Sequence, residues 1–188
     1  MPVANPDFSA FVQRAKDLNP ESIFVFVPGG AQPAALGKAF AERGMDPNKI
    51  KIMSTGEAVD ETAVKALGDL ALGRISGWHY DYNLKGKANE DFVKAFNAEF
   101  KRNPDFFAVG GYDGMHLIYE ALKKTGGKAD GDSLLAATKG MKWTSPRGPV
   151  SIDENREMVQ NIYIRKVQKV GNNIVNVEFD TVKDVKAH

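Results

Sequence analysis

Two short segments of this chain combine residue types able to hold a small polar solute. Residues 28–32 read Pro-Gly-Gly-Ala-Gln, and residues 54–59 read Ser-Thr-Gly-Glu-Ala-Val. Glycines at Gly29, Gly30 and Gly56 let a ligand come close to the backbone, and helix N-termini offer free amide groups to a carboxylate. Glu57 is the natural partner for an ammonium group. The same residues also fit a plainer assignment, with the glycines as tight turns and Glu57 as a solvated acid at a helix start. Spacing by itself leans toward the plainer one.

No other constellation in the chain amounts to a catalytic or cofactor motif. The stretch from Gly30 to Gly37-Lys38 departs from a phosphate loop, which needs four residues before Gly-Lys and then Ser or Thr; here six intervene and Ala39 follows. A nucleophile elbow, a His-Glu-x-x-His pair and paired cysteines are all missing. Asp60 and Glu61 read as first-turn acids of a helix, and His116, between Met115 and Leu117, as a structural histidine. Glu57, Asp60 and His79 could be drawn together as a hydrolytic group, but nothing fixes their geometry. The expectation is a protein that is not an enzyme, with no metal site and no cofactor.

Composition narrows the classes further. The chain has 188 residues, with 25 Lys+Arg against 24 Asp+Glu, so it carries no basic field for nucleic acid. Its lack of cysteine excludes thiolate chemistry and disulfides. Apolar residues make up 43%, and the longest apolar run, residues 23–27, is far too short to span a bilayer. Met1 is followed by Pro2 and Asn5 with neither a basic start nor an apolar stretch, so no secretory signal is expected within this chain. His79, His116 and His188 are too scattered for a metal cluster.

The elements that must position the two segments follow from periodicity. Phe8, Phe11, Val12, Ala15 and Leu18 predict a helix stopped at Asn19-Pro20. Residues 23–27 predict a buried strand, and Pro33, Leu36, Ala39 and Phe40 a helix ending at Gly44. A short strand at 50–53, a helix at about 60–67 closed by Gly68, and a strand at about 74–80 complete a pattern of alternating units. That pattern predicts parallel, doubly wound α/β structure with right-handed crossovers.

A polar linker at 81–88 leads to two helices. Asn89 is the expected cap of the first, with Phe92, Phe96 and Phe100 on its buried face. The second, about 105–124, carries a predicted core stripe of Ala108, Tyr112, Met115, Tyr119 and Leu122. Its Gly110, Gly111 and Gly114 each cost about 1 kcal/mol relative to alanine, which implies that a backbone or ligand comes close there. A short helix at about 132–141 follows. Residues 148–152 and 160–167 predict a hairpin, and 174–179 a third strand of a closing β meander. Three or four α/β strands make a small sheet with open edges, so either another segment completes it or the chain forms a homodimer.

Several blocks, taken in order, resemble the branched-chain amino-acid-binding family, the extracytoplasmic substrate-binding proteins of ABC importers. They are Asn-Pro-Asp-Phe-Ser-Ala-Phe (5–11), Ile-Phe-Val-Phe-Val-Pro-Gly-Gly (23–30) and Ala-Glu-Arg-Gly (41–44). Gly-Gly-Tyr-Asp-Gly-Met-His-Leu-Ile-Tyr-Glu-Ala-Leu (110–122) and Ser-Pro-Arg-Gly-Pro-Val-Ser-Ile-Asp (145–153) complete the set. The resemblance implies a type I periplasmic-binding-protein-like fold: partial, bilobed, doubly wound parallel sheets with a C-terminal β meander. Family members are about twice as long, so the chain resembles their C-terminal half, without the first-lobe nucleotide-fold-like half or the signal peptide. Residues 1–79 then correspond to a second-lobe segment, 80–160 to a helical segment returning to the first lobe, and 161–188 to strands crossing back.

The resemblance implies a periplasmic, non-catalytic solute binder that closes like a hinge over its ligand and docks on a membrane permease. The implied solutes are amino acids or related small polar or aromatic acids, with the isolated chain binding them poorly because half the cleft is missing. A ligand-sensing regulatory domain of the same fold is the alternative. Glu57 stands where the family has the acid that accepts the ligand ammonium. Ala31 stands where leucine-type members often carry tyrosine, and Gln32 offers a polar contact in its place. The expected ligand-binding residues are thus Gly30, Ala31, Gln32 and Glu57, together with Tyr80 and Tyr112, which are placed by position and not by a family motif.

Overall fold

The computed structural model describes residues 6–47 and 49–187; Met1, Pro2, Asn5 and His188, used above, lie outside the described residues. The chain divides into two compact units, Met1–Trp78 with Tyr163–Thr181, and His79–Ile162 with Val182–His188.

In the first unit the expected alternation is present. Helix α1 (Ser9–Asp17) precedes strand β1 (Ser22–Val25), helix α2 (Ala31–Glu42), strand β2 (Lys51–Thr55), a 3₁₀ turn (Gly56–Val59), helix α3 (Glu61–Leu67) and strand β3 (Ile75–Trp78). β1, β2 and β3 lie side by side and parallel, with Ile23 opposite Ile52 and Ser54 opposite Ser76. Strand β6 (Met158–Val170) joins β3 antiparallel, with Ser76 opposite Arg165 and Trp78 opposite Tyr163. The sheet is therefore mixed, with three of its strands parallel.

Apolar periodicity explains the packing. Phe8, Val12, Leu36, Phe40 and Ile52 form one buried cluster with Ile23 and Val25 against it; Val59, Val64, Leu67 and Val167 form a second. The predicted buried strand at 23–27 needs correcting, because Phe24 and Phe26 are 67% and 68% exposed. Side chains alternate along β1, and only its Ile23–Val25 face meets the buried cluster. Arg74, buried beside Phe40 with its guanidinium 5.8 Å from the ring centre, is pushed down to about 10 by desolvation.

The second unit is built from helices α4 (Lys87–Phe100), α5 (Phe106–Lys124) and α6 (Gly131–Thr138), then the hairpin of β4 (Lys142–Ser145) and β5 (Gly148–Ile152). β5 pairs antiparallel with the start of β6, through Ser151–Val159 and Ile152–Met158. Strand β7 (Asn173–Val185), which pairs with β6, ends here. Asp105 and Asp130 cap α5 and α6 by accepting from the Ala108 and Ser133 amides.

Two expectations about these helices are overturned, and so is the backbone half of a third. α4 begins before Asn89, with Gly86 at its N-cap. Asn89 is instead buried inside the first turn, donating to the Tyr82 and Leu84 carbonyls and accepting from the Tyr80 hydroxyl. The stripe of Tyr112, Met115 and Tyr119 on α5 is exposed, as is Phe100 on α4; the buried face of α5 is Val109, Asp113 and Ala121. A stripe of aromatics read as core because apolar spacing reports a face, not which side is covered. Added Cβ atoms at Gly110, Gly111 and Gly114 would meet nothing within 4 Å, so no backbone of the described residues comes close there.

Asp113 anchors a polar cluster in this unit. Its Oδ1 accepts from the Trp143 indole at 3.0 Å and its Oδ2 from the Ser145 hydroxyl at 2.9 Å. The Arg147 guanidinium pairs with the same Oδ2 at 2.7 Å and also donates to Gln160 at 2.8 Å. The helix, the hairpin and β6 are thereby fastened through one carboxylate.

Candidate functional site

Because β1 and β2 are adjacent and parallel, the segments that leave them emerge at the same edge of the first unit, the carboxyl edge of the sheet. Open α/β sheets take their ligands at that edge. Four of the six expected site residues stand there: Gly30, Ala31 and Gln32 where α2 begins, and Glu57 in the 3₁₀ turn after β2. α2 packs against that turn, which brings the two segments together.

The backbone explains the residue types. Gly30 has φ of 95°, a conformation that other residues rarely adopt, and it lets the chain swing from β1 into α2. Ala31 is exposed and leaves the mouth of the segment open. Gln32 is only 9% exposed, yet its side chain has no hydrogen-bond partner among the described residues. Its amide atoms are not among the fully enclosed unpaired ones, so solvent still meets them.

Glu57 is partly buried, with no hydrogen bond or ion pair among the described residues. Its carboxyl is pushed above the usual range, chiefly by desolvation and secondarily by the charge of Asp60. Asp60 itself caps α3 by accepting from the Ala63 amide at 2.7 Å. The charge felt by the Glu57 carboxylate from the described residues is thus that of a second acid.

Three residues of this edge escaped the sequence reading. The Ser54 and Thr55 hydroxyls are buried and have no hydrogen-bond partner among the described residues, and they lead directly into Gly56 and Glu57. Trp78, at the carboxyl end of β3, lies against Gly56: a Cβ added there would stand 2.4 Å from the Trp78 Cβ and Cγ. An aromatic residue at a strand's carboxyl end was the available signal for Trp78. The orphan hydroxyls carry no sequence signal at all.

The two tyrosines belong to the second unit. Tyr80 is buried, its hydroxyl donates to Asn89 at 2.9 Å, and its ring meets Phe92 edge-on. Tyr112 is 46% exposed on α5, against Phe92 at 5.1 Å between ring centres and parallel to the His116 ring.

Parallel βαβ units, with glycine turns, orphan polar groups and a carboxylate gathered at the carboxyl edge, define an α/β protein of the open-sheet class that takes ligands at that edge. The chain belongs to the periplasmic binding protein family, whose pattern matches residues 1–172. Among curated relatives, the Leu/Ile/Val-binding protein homolog 6 of Brucella melitensis is 41% identical over 173 residues, and that of Brucella suis 42% over 175. Each alignment covers 90% of this chain and 44% of the relative, so the chain spans about half the length of the curated relatives it matches.

A solved solute-binding protein of an ABC transporter from Rhodopseudomonas palustris BisB5, in complex with 3,4-dihydroxybenzoic acid, is 54% identical with a TM-score of 0.89. A second, from Rhodopseudomonas palustris HaA2 with p-hydroxybenzoic acid, is 38% identical with a TM-score of 0.90. Both comparisons cover 98% of this chain and 51% of the other. The family and these neighbours are binders of solutes and not enzymes, and the family's compartment is the periplasm. Among the described residues no helix is long and apolar enough to cross a membrane.

Proposed function

We propose that this chain is part of the solute-binding component of an ABC importer, delivering its solute to a membrane permease, and that the solute is an aromatic carboxylic acid. The observation that carries the solute class is the 54% identity, over 98% of this chain, to a solute-binding protein in complex with 3,4-dihydroxybenzoic acid. Neighbours with p-hydroxybenzoic acid and 4-hydroxybenzoate support the same class. The first unit suits it: Ala31 leaves room for a rigid ring at the start of α2, and Glu57 and Gln32 are polar groups in want of partners.

A second reading is a branched-chain amino acid, favoured by the Leu/Ile/Val-binding homologues at 41% identity. In that case Glu57 holds the ammonium group. Calorimetry on the complete gene product separates the two. A Kd of about 1 μM or tighter for 3,4-dihydroxybenzoate, with no heat from leucine at millimolar concentration, is the expected result. Leucine binding without aromatic-acid binding reverses the assignment.

A further inference from the structure

The edge that carries Glu57 and Gln32 constrains which end of an aromatic acid it meets. The ligand's carboxylate is excluded beside Glu57. Two carboxylates in a partly desolvated site repel, and the charge that acts on Glu57 from the described residues is that of Asp60, also acidic. A phenolic hydroxyl has the opposite character, since it donates a hydrogen bond to a carboxylate and gains strength from the charge of its acceptor. Gln32 adds both a donor and an acceptor in one amide, carried on a largely buried side chain and unmatched by the described residues.

Resting on the aromatic-acid reading above, we propose that this edge reads the hydroxylated end of the ring: the Glu57 carboxylate accepts from one ring hydroxyl and the Gln32 amide takes a second. The site thereby selects hydroxybenzoates over unsubstituted benzoate. The argument is asymmetric in energy. When benzoate enters, it leaves a partly desolvated carboxylate without a partner, and an unmet polar group costs more than a met one gains. Aliphatic amino acids lack a second polar group at their far end and leave Gln32 unmatched.

The test is an affinity series on the complete gene product with benzoate, 4-hydroxybenzoate, 3,4-dihydroxybenzoate and leucine, repeated with Glu57→Gln and Gln32→Leu. In the wild type, 4-hydroxybenzoate is expected to bind about 10- to 100-fold more tightly than benzoate, the size of a hydrogen bond to a charged group. Glu57→Gln shrinks that ratio to within about threefold through loss at the hydroxylated acids. Gln32→Leu leaves the first ratio and removes the further gain from the second hydroxyl. Thermal unfolding of each variant checks that the fold is retained.

Aromatic acids that bind equally well whatever their hydroxylation, or a Glu57→Gln ratio equal to that of the wild type, overturn the proposal while leaving the aromatic-acid reading intact. Leucine binding in the absence of any aromatic-acid binding overturns both.

Discussion

Asp113→Ala is expected to cost about 3–5 kcal/mol of stability, enough to unfold a large fraction of a marginal protein at growth temperature. The carboxylate is 1% exposed and serves three partners at once: the Trp143 indole, the Ser145 hydroxyl and the Arg147 guanidinium. Truncation leaves a guanidinium of 7% side-chain exposure without its counter-charge, and two donors with no acceptor. Desolvated charge that has lost its partner is the costly outcome; the pair itself is worth much less. The double variant Asp113→Leu with Arg147→Met is therefore expected to be more stable than Asp113→Ala alone, by at least about 1 kcal/mol. Urea denaturation of the wild type, Asp113→Leu, Arg147→Met and the double variant measures the coupling, with Asp113→Ala run alongside. A cost below about 1 kcal/mol for Asp113→Ala would show that water reaches the cluster.

That cluster also marks the boundary of what could be read from the sequence. Helix α2 was legible because Pro33, Leu36, Ala39 and Phe40 repeat at helical spacing, and α3 because Asp60 and Gly68 bracket it. Strand β1 was legible as a strand but not as a half-covered one, since the exposure of Phe24 depends on what packs on its face of the sheet. Asp113 appeared only as one letter in a glycine-rich helix, and its partner Arg147 lies 34 positions further on. Pairing over such a distance leaves no periodic trace. The exposed face of α5 misled for a related reason: Tyr112, Met115 and Tyr119 repeat as a core stripe does, whereas the face that packs is held by a buried acid.

The site divides in the same way. Glu57 and the Gly29-Gly30 turn announce themselves, because strand-to-helix loops at a carboxyl edge are where such residues act. Ser54 and Thr55 stand out through hydroxyls with no partner among the described residues, and Gln32 through an amide that none of those residues bonds, which no spacing reveals. Trp78 emerged from what a missing side chain would have struck.

That last contact supports the second large effect, Gly56→Ala. Gly56 does not have a positive φ, so alanine meets no conformational penalty there, and the issue is space alone. The new Cβ would lie 2.4 Å from the Trp78 Cβ and Cγ and 2.8 Å from Cδ1, against an ordinary carbon contact of about 3.5–4.0 Å. Rotating the indole gives no relief, because its Cβ is fixed to β3, itself held between β2 and β6. The turn must move instead, by of order 1 Å, and Glu57 moves with it. A stability loss of about 1–3 kcal/mol is expected, as for other overpacked sites, along with at least about a tenfold loss of affinity for 3,4-dihydroxybenzoate. Gly110→Ala supplies the contrast: it has open space, lies inside an exposed helix, and is expected to add up to about 1 kcal/mol of stability. Thermal unfolding and calorimetry on the two variants distinguish a crowded glycine from a merely flexible one. An unchanged affinity in Gly56→Ala would mean that the turn adapts without displacing its carboxylate.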